Sequence, residues 1–243
     1  MHRVFIMLLG GCFVLFNSQT RLHAESKTFH VEAMQIASDS SQLTLKKFKK
    51  LRKQADVQVL DTRSGDIFLQ GFVPKSINIG FKGPFEHFLG QVFPDKTQKF
   101  LLITDLEDKE AVIDHLLKLG YPHIVGVLEG GFATWKNSEI VDSLSNISAG
   151  EFMERSDQGH IVDVRTDKEF ANGHIDNAMN IPLTDFANFG STLKKDDARL
   201  YVHCQSGYRS AVAISILSAK GFKYLCNIQG GYKALQEEIK ENQ

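Results

Sequence analysis

The chain has 243 residues, 42% of them hydrophobic and 23% charged, with 28 Lys plus Arg against 29 Asp plus Glu. That length suits one large domain or two small ones, and the composition is ordinary for a globular protein. The near-even charge balance argues against a nucleic-acid partner, and three cysteines are too few for a disulfide framework.

Met1-His2-Arg3 is a short basic segment, and Val4 to Phe16 is almost wholly apolar. Such a run has the length of a signal-peptide core and is too short for a comfortable membrane span. The polar stretch after it ends in Leu22-His23-Ala24. Residues 1–24 are therefore expected to be a signal peptide cleaved after Ala24, although Leu22 is larger than the small residue usual there. The chain is then exported, to a bacterial periplasm or outside the cell. Two alternatives stay open. The segment could remain as an uncleaved anchor, or Leu9-Gly10-Gly11-Cys12, which resembles a lipoprotein cleavage box, could be lipidated at Cys12. The apolar Phe13-Val14-Leu15-Phe16 speaks against lipidation. Cleavage removes Arg3 and Arg21 and no acid, which moves the formal charge from −1 to −3.

Leu45 to Gln54 is expected to be a charged helix, with Lys46, Lys47, Lys49 and Lys50 on a solvated face. The stretch from Phe81 to Phe93 carries Phe81, Phe85, Phe88 and Phe93 and reads as core, or as packing between two halves, rather than a ligand pocket. Four segments then recur about one hundred residues later. Val59-Leu60-Asp61-Thr62-Arg63 matches Ile161-Val162-Asp163-Val164-Arg165. Gly71 to Ile79 matches Gly173 to Ile181. Leu101-Leu102-Ile103-Thr104-Asp105 matches Leu200-Tyr201-Val202-His203-Cys204, and Leu128 to Phe132 matches Ile228 to Tyr232. Matches in one order at four places mean two copies of one fold. The polar join near Lys136 to Asn146 separates a first domain, residues 25–140, from a second, residues 141–243.

In the second copy Ser148-Ala149-Gly150-Glu151 is a capping box that opens a helix. Strands follow at Ile161 to Val164 and Ala178 to Ile181, then a helical patch at Thr184 to Phe189. A strand at Leu200 to His203, a helix from Ser210 to Lys220, a strand at Tyr224 to Ile228 and a helix from Tyr232 to about Lys240 complete it. Short apolar strands alternating with helices predict an α/β fold in each copy, a small parallel sheet with helices on both faces.

The chemistry concentrates at Leu200 to Ser210. An apolar strand ends in Cys204, a polar turn contains Gly207, and a helix starts. The sulfur then faces loop N–H groups and the positive end of a helix dipole, a setting that favours the thiolate, the reactive form. Cys204 is the candidate nucleophile. Gln205, Ser206, Gly207, Tyr208, Arg209 and Ser210 are the candidate anion-binding loop. Arg209 either orients the donor or pairs with an acid and braces the loop. Asp163 and Arg165 are expected to tie the sheet edge to that loop, and His174 and His203 to be structural. Cys226, in an apolar strand, is expected to be a buried inert thiol.

These residues resemble the rhodanese family of sulfurtransferases. The second copy carries the pattern along its length: Asp163-Val164-Arg165, Glu169-Phe170, Gly173-His174-Ile175, Asn180-Ile181-Pro182, Cys204 to Arg209 and Gly230-Gly231. The resemblance implies tandem rhodanese-like domains, the first inert and the second active, because the alignment sets Asp105 against Cys204. The first copy is also similar to the rhodanese portion of bacterial fusions with a metallo-β-lactamase-fold hydrolase. That hydrolase's His-x-His-x-Asp-His string is absent, so no metal and no cofactor are expected. The implied reaction moves sulfane sulfur from thiosulfate, a polysulfide or a persulfide to a thiol or cyanide through a Cys204 persulfide. Partners are then a small anionic sulfur donor, an acceptor, and a possible protein donor or acceptor. Two alternatives are a non-catalytic sulfur-carrier or partner-binding module and a rhodanese-fold phosphatase. Related phosphatases carry one residue more between cysteine and arginine than the four between Cys204 and Arg209. Gln205 and Ser206 are neutral where thiosulfate-preferring members often carry basic residues, which speaks against a strong thiosulfate preference.

Overall fold

The computed structural model describes residues 42–155, 159–184, 189–195 and 198–241. The expected signal segment with Cys12, and residues 185–188 of the expected helical patch, lie outside the described residues. No described helix is long and apolar enough to cross a membrane.

The chain forms two parallel five-stranded sheets flanked by helices. The first contains β1 (Gln42–Leu43), β2 (Val57–Asp61), β3 (Ile77–Asn78), β4 (Lys99–Ile103) and β5 (Ile124–Leu128), in the order β1-β5-β4-β2-β3. The second contains β6 (Ser145–Ile147), β7 (Gly159–Asp163), β8 (Met179–Asn180), β9 (Arg199–His203) and β10 (Leu225–Ile228), in the order β6-β10-β9-β7-β8. The two orders are the same, so the repeat is one topology used twice. Central strands are covered on both sides and consist almost wholly of buried apolar residues, as in Phe100-Leu101-Leu102-Ile103.

The helices of the first unit are α1 (Leu45–Leu51), α2 (Gly65–Gln70), α3 (Phe85–Val92), α4 (Lys109–Lys118) and α5 (Gly131–Lys136). Those of the second are α6 (Ala149–Met153), α7 (Asp167–Ala171), α8 (Tyr208–Ala219) and α9 (Gly231–Glu241). The capping box at Ser148 and Glu151 is present and opens α6. Helix α1 stops at Leu51, short of the expected Gln54, and the chain leaves it through turns in which Lys53 N–H donates to Lys50 O at 3.4 Å and Gln54 N–H to Leu51 O at 3.0 Å. Helix α8 starts two residues before the expected Ser210, directly on the Cys204 loop. Helices α2, α3 and α7 are additional to the sequence expectation.

Strand register corrects one expected equivalence. Asp61 pairs with Ile103, and Asp163 pairs with His203. Ile103 therefore matches His203, and the residue matching Cys204 is Thr104, not Asp105. Aligning the apolar runs by sequence slipped by one residue, which in a strand swaps the two faces. Thr104 is buried, and Asp105 is exposed at the start of the turn.

The two units share one apolar cluster that includes Ile79, Phe85 and Phe88 from the first and Val202, Ile214 and Leu217 from the second. The packing expected of the aromatic stretch is observed at Phe85 and Phe88, but Phe88 also lines a cavity, which the sequence expectation had set aside. Polar contacts pin the same seam: Asn78 N–H donates to Ser215 Oγ at 3.0 Å, and Tyr208 Oη donates to Gly80 O at 2.9 Å.

Candidate active site

Strand β9 lies at the centre of the second sheet, and Cys204 follows its C-terminal end. That edge is where parallel α/β sheets bind ligands. Cys204 is 1% exposed. Gly207 has φ +115°, a conformation that side-chain-bearing residues rarely adopt, and turns the chain back towards the sulfur. Its N–H donates to Cys204 Sγ at 3.1 Å. The first turn of α8 follows at once, so the positive end of a 12-residue helix lies beside the thiol.

The loop is held from three sides. Cys204 O accepts from Tyr232 N at 2.7 Å, and Gln205 O accepts from Lys233 N at 3.2 Å. Ser210 Oγ donates to Gly207 O at 2.9 Å. Arg165 Nη1 donates to Gln205 Oε1 at 3.3 Å, while Arg165 Nη2 donates to Asp163 Oδ2 and to Gly173 O, both at 2.7 Å. The Arg165 guanidinium also lies 3.8 Å from the centre of the Tyr232 ring. Asp163 and Arg165 are buried and brace the loop, as the sequence suggests. The side chains of Gln205 and Ser210 face these braces, whereas Ser206, Tyr208 and Arg209 line the cavity above the sulfur.

Arg209 donates through Nη1 and Nη2 to Glu169 at 2.6 and 2.7 Å. Glu169 also closes a capping box with Thr166 at the start of α7. The Arg209 hydrogen bonds, helped by Thr166, hold the Glu169 carboxyl down at about 2. Bonding to Glu169 raises the Arg209 pKa, and the nearby Cys204 sulfur reinforces it. Arg209 thus pairs with an acid and at the same time lines the cavity beside Cys204. In the sequence Glu169 stood in the family pattern as Glu169-Phe170, with nothing to mark it as the partner of Arg209.

Other candidates fall away from the thiol. His174 stacks on Phe170 with ring centres 4.0 Å apart and lines a different cavity. His203 is fully buried, with Nδ1 3.2 Å from Cys204 O, and burial pushes its pKa down. Burial pushes the Cys226 thiol up to about 11, which suits an inert core residue.

The cavity over Cys204 holds about 380 Å³. Its wall from the second unit includes Val164, Thr166, Leu183 and Thr184, and its wall from the first is Pro84, His87, Phe88 and Gln91 on and beside α3. The sequence drew attention to this stretch through Phe81, Phe85 and Phe88 but set it to packing rather than a pocket, and Phe88 serves as both.

The Rhodanese-like domain family model matches residues 44–138 and 148–238. The chain belongs to the rhodanese-like domain family. It is similar to the putative sulfurtransferase YtwF of Bacillus subtilis, 33% identical over 100 residues, which are 41% of this chain and 95% of that protein. It is similar to the thiosulfate sulfurtransferase GlpE of Shewanella oneidensis, 30% identical over 99 residues, 40% of this chain and 97% of that one. The putative sulfur carrier protein YrkF of Bacillus subtilis is 28% identical over 130 residues, 52% of this chain and 63% of that one. Among solved structures, a rhodanese-related protein from Thermoplasma volcanium is 31% identical, covering 39% of this chain and 92% of that one, with a TM-score of 0.37. Rhodanese domains and relatives of these names support a role in sulfur transfer, with sulfur donor and acceptor partners.

Proposed function

We propose that this rhodanese-family protein is a sulfurtransferase that works through a persulfide on Cys204. The observation that carries the reading is the buried Cys204 sulfur, held by the Gly207 N–H at the N-terminus of α8. A thiolate there attacks the outer sulfur of a donor. A new S–S bond forms to Cys204, the donor's bond to that sulfur breaks, and sulfite, a thiolate or a shortened polysulfide leaves with the electron pair. An acceptor thiolate, or cyanide, then attacks the outer sulfur of the Cys204 persulfide and regenerates the Cys204 thiolate. Preorganised loop N–H groups stabilise charge on the transferred sulfur throughout.

Incubation with polysulfide should leave one sulfur on Cys204, read by intact mass, and Cys204→Ser should abolish it. A Cys204→Ser protein that still transfers sulfur overturns the proposal. The similarity to a putative sulfur carrier favours one variation, in which the persulfide forms but is handed only to a protein partner. Rapid loading with no turnover on any small acceptor would select that variation. The first unit acts as a non-catalytic half of the site, and export by residues 1–24 is part of the proposal. Mature protein beginning after Ala24, read by N-terminal sequencing from a secreting host, tests the export.

A further inference from the structure

Resting on the Cys204 reading, we infer that the sulfur donor is a small organic persulfide with an uncharged, apolar body, and that α3 of the first unit selects it. The cavity wall opposite the Cys204 loop is Pro84, His87, Phe88 and Gln91, and the second unit adds Val164 and Leu183 with the uncharged Thr166 and Thr184. Among the described residues, Arg209 is the only Lys or Arg that lines the cavity. Each of its Nη groups donates one bond to Glu169, and the Arg209–Glu169 pair taken together carries no net charge. Lys82, the cation of the preceding loop, lines a separate cleft and pairs with Asp108 at 2.9 Å. Gln205 and Ser206 add no charge. A dianion such as thiosulfate would exchange water for the Gly207 N–H side of the loop, a cation shared with Glu169 and otherwise uncharged walls, which is costly for the charge that lies beyond the transferred sulfur. A neutral body with an aromatic or alkyl group gives up no charge solvation and buries its own apolar surface in the cavity beside Phe88 and Leu183. A cavity of about 380 Å³ suits a small molecule rather than a folded partner.

The step balances without a further reagent. The Cys204 thiolate attacks the outer sulfur of R–S–S–H. The Cys204–S bond forms, the donor S–S bond breaks, the proton stays on the transferred sulfur, and R–S⁻ leaves along the apolar wall.

Single-turnover loading of the full chain, followed by quenched intact mass, tests this with three donors at equal concentration: benzyl persulfide, glutathione persulfide and thiosulfate. Benzyl persulfide should load Cys204 at least about tenfold faster than either anion, the size of effect a well-fitted apolar group gives. His87→Lys, on the exposed side of α3, should lower the benzyl-to-thiosulfate ratio by about tenfold by adding a free cation to the wall. Phe88→Ala should lower the same ratio, and Phe88→Leu should preserve it, which separates lost recognition from lost folding. Equal or faster loading by thiosulfate overturns the inference and leaves the Cys204 reading intact. So does a ratio indifferent to both His87→Lys and Phe88→Ala, or loading only from a protein-borne persulfide. Failure of all donors and of polysulfide to load Cys204 overturns the inference together with the reading beneath it.

Discussion

The two units use the same brace and differ in the turn it supports. In the first, Arg63 donates to Asp61 and, at 2.9 Å, to Gly71 O, and its guanidinium lies 4.0 Å from the Phe132 ring centre. In the second, Arg165 makes the same contacts with Asp163, Gly173 O and Tyr232. Asn78 and Asn180 each donate to the two backbone carbonyls of their own unit's brace, the Asp and the Arg, at 3.0 and 2.9 Å. Beyond this shared frame, Thr104 stands in the first unit and Cys204 in the second. The first turn then enters a 3-10 helix, Leu106–Asp108, with Glu107 and Asp108 in it, where the second turns at Gly207 onto the sulfur. The comparison assigns Asp163 and Arg165 to scaffold, because the unit without a thiol carries the same pair. The two units part company in the turn itself, residues 204–209 of the second.

Removing the shared brace should give the largest effect on stability. Asp61→Ala and Asp163→Ala each leave a buried arginine unpaired, and each should cost about 3–5 kcal/mol in chemical unfolding. If only Asp163→Ala were destabilising, the equivalence of the two braces would fail.

A second substitution separates the units. An added Cβ on Gly231 would lie 2.4 Å from Cys204 O, and on Gly131 3.2 Å from Thr104 O, with φ near +60° at both. Gly231→Ala should therefore cost more than Gly131→Ala, by about 1 kcal/mol or more, and should also slow persulfide loading. Gly131→Ala should leave loading unaffected, since it touches only the turn without sulfur. Paired melting curves and loading rates check both statements.

The smallest effect is electrostatic. Glu169 titrates at about 2 in the folded chain against an ordinary 4.5, so its folded pKa is depressed. Stability from its pairing with Arg209 is fully present above pH 4.5 and is lost as pH falls through about 2. Because the pair is partly exposed, it should contribute up to about 1 kcal/mol. The difference in melting temperature between wild type and Glu169→Gln should be constant above pH 4.5 and shrink below it. A difference that grows on acidification would contradict the pairing.

Much of this was legible in the chain. The duplicated Asp-x-Arg and Gly-Gly signals and the apolar runs revealed two parallel α/β units and the strand leading to Cys204. Three short helices escaped, because five to eight residues show too little of the helical period. Setting Asp105 against Cys204 failed for another reason. Leu101-Leu102-Ile103 offers no internal mark, and only pairing with β2 fixes which residue leaves the strand first. The specific partners of Arg209 and Tyr208 were out of reach. Arg209 and Glu169 are 40 positions apart, and Tyr208 meets Gly80 across 128.

That last contact has a consequence for how the protein can be divided. Tyr208 follows directly on Gly207, the residue whose amide holds the sulfur, and its hydroxyl is fastened to the other unit. Burial of that phenol pushes its pKa up, so it remains a donor in any physiological medium. The duplicated units are therefore no longer separable modules. A chain cut between residues 137 and 144 would free a second unit that has the whole reactive loop in its sequence but lacks the anchor next to its turning point.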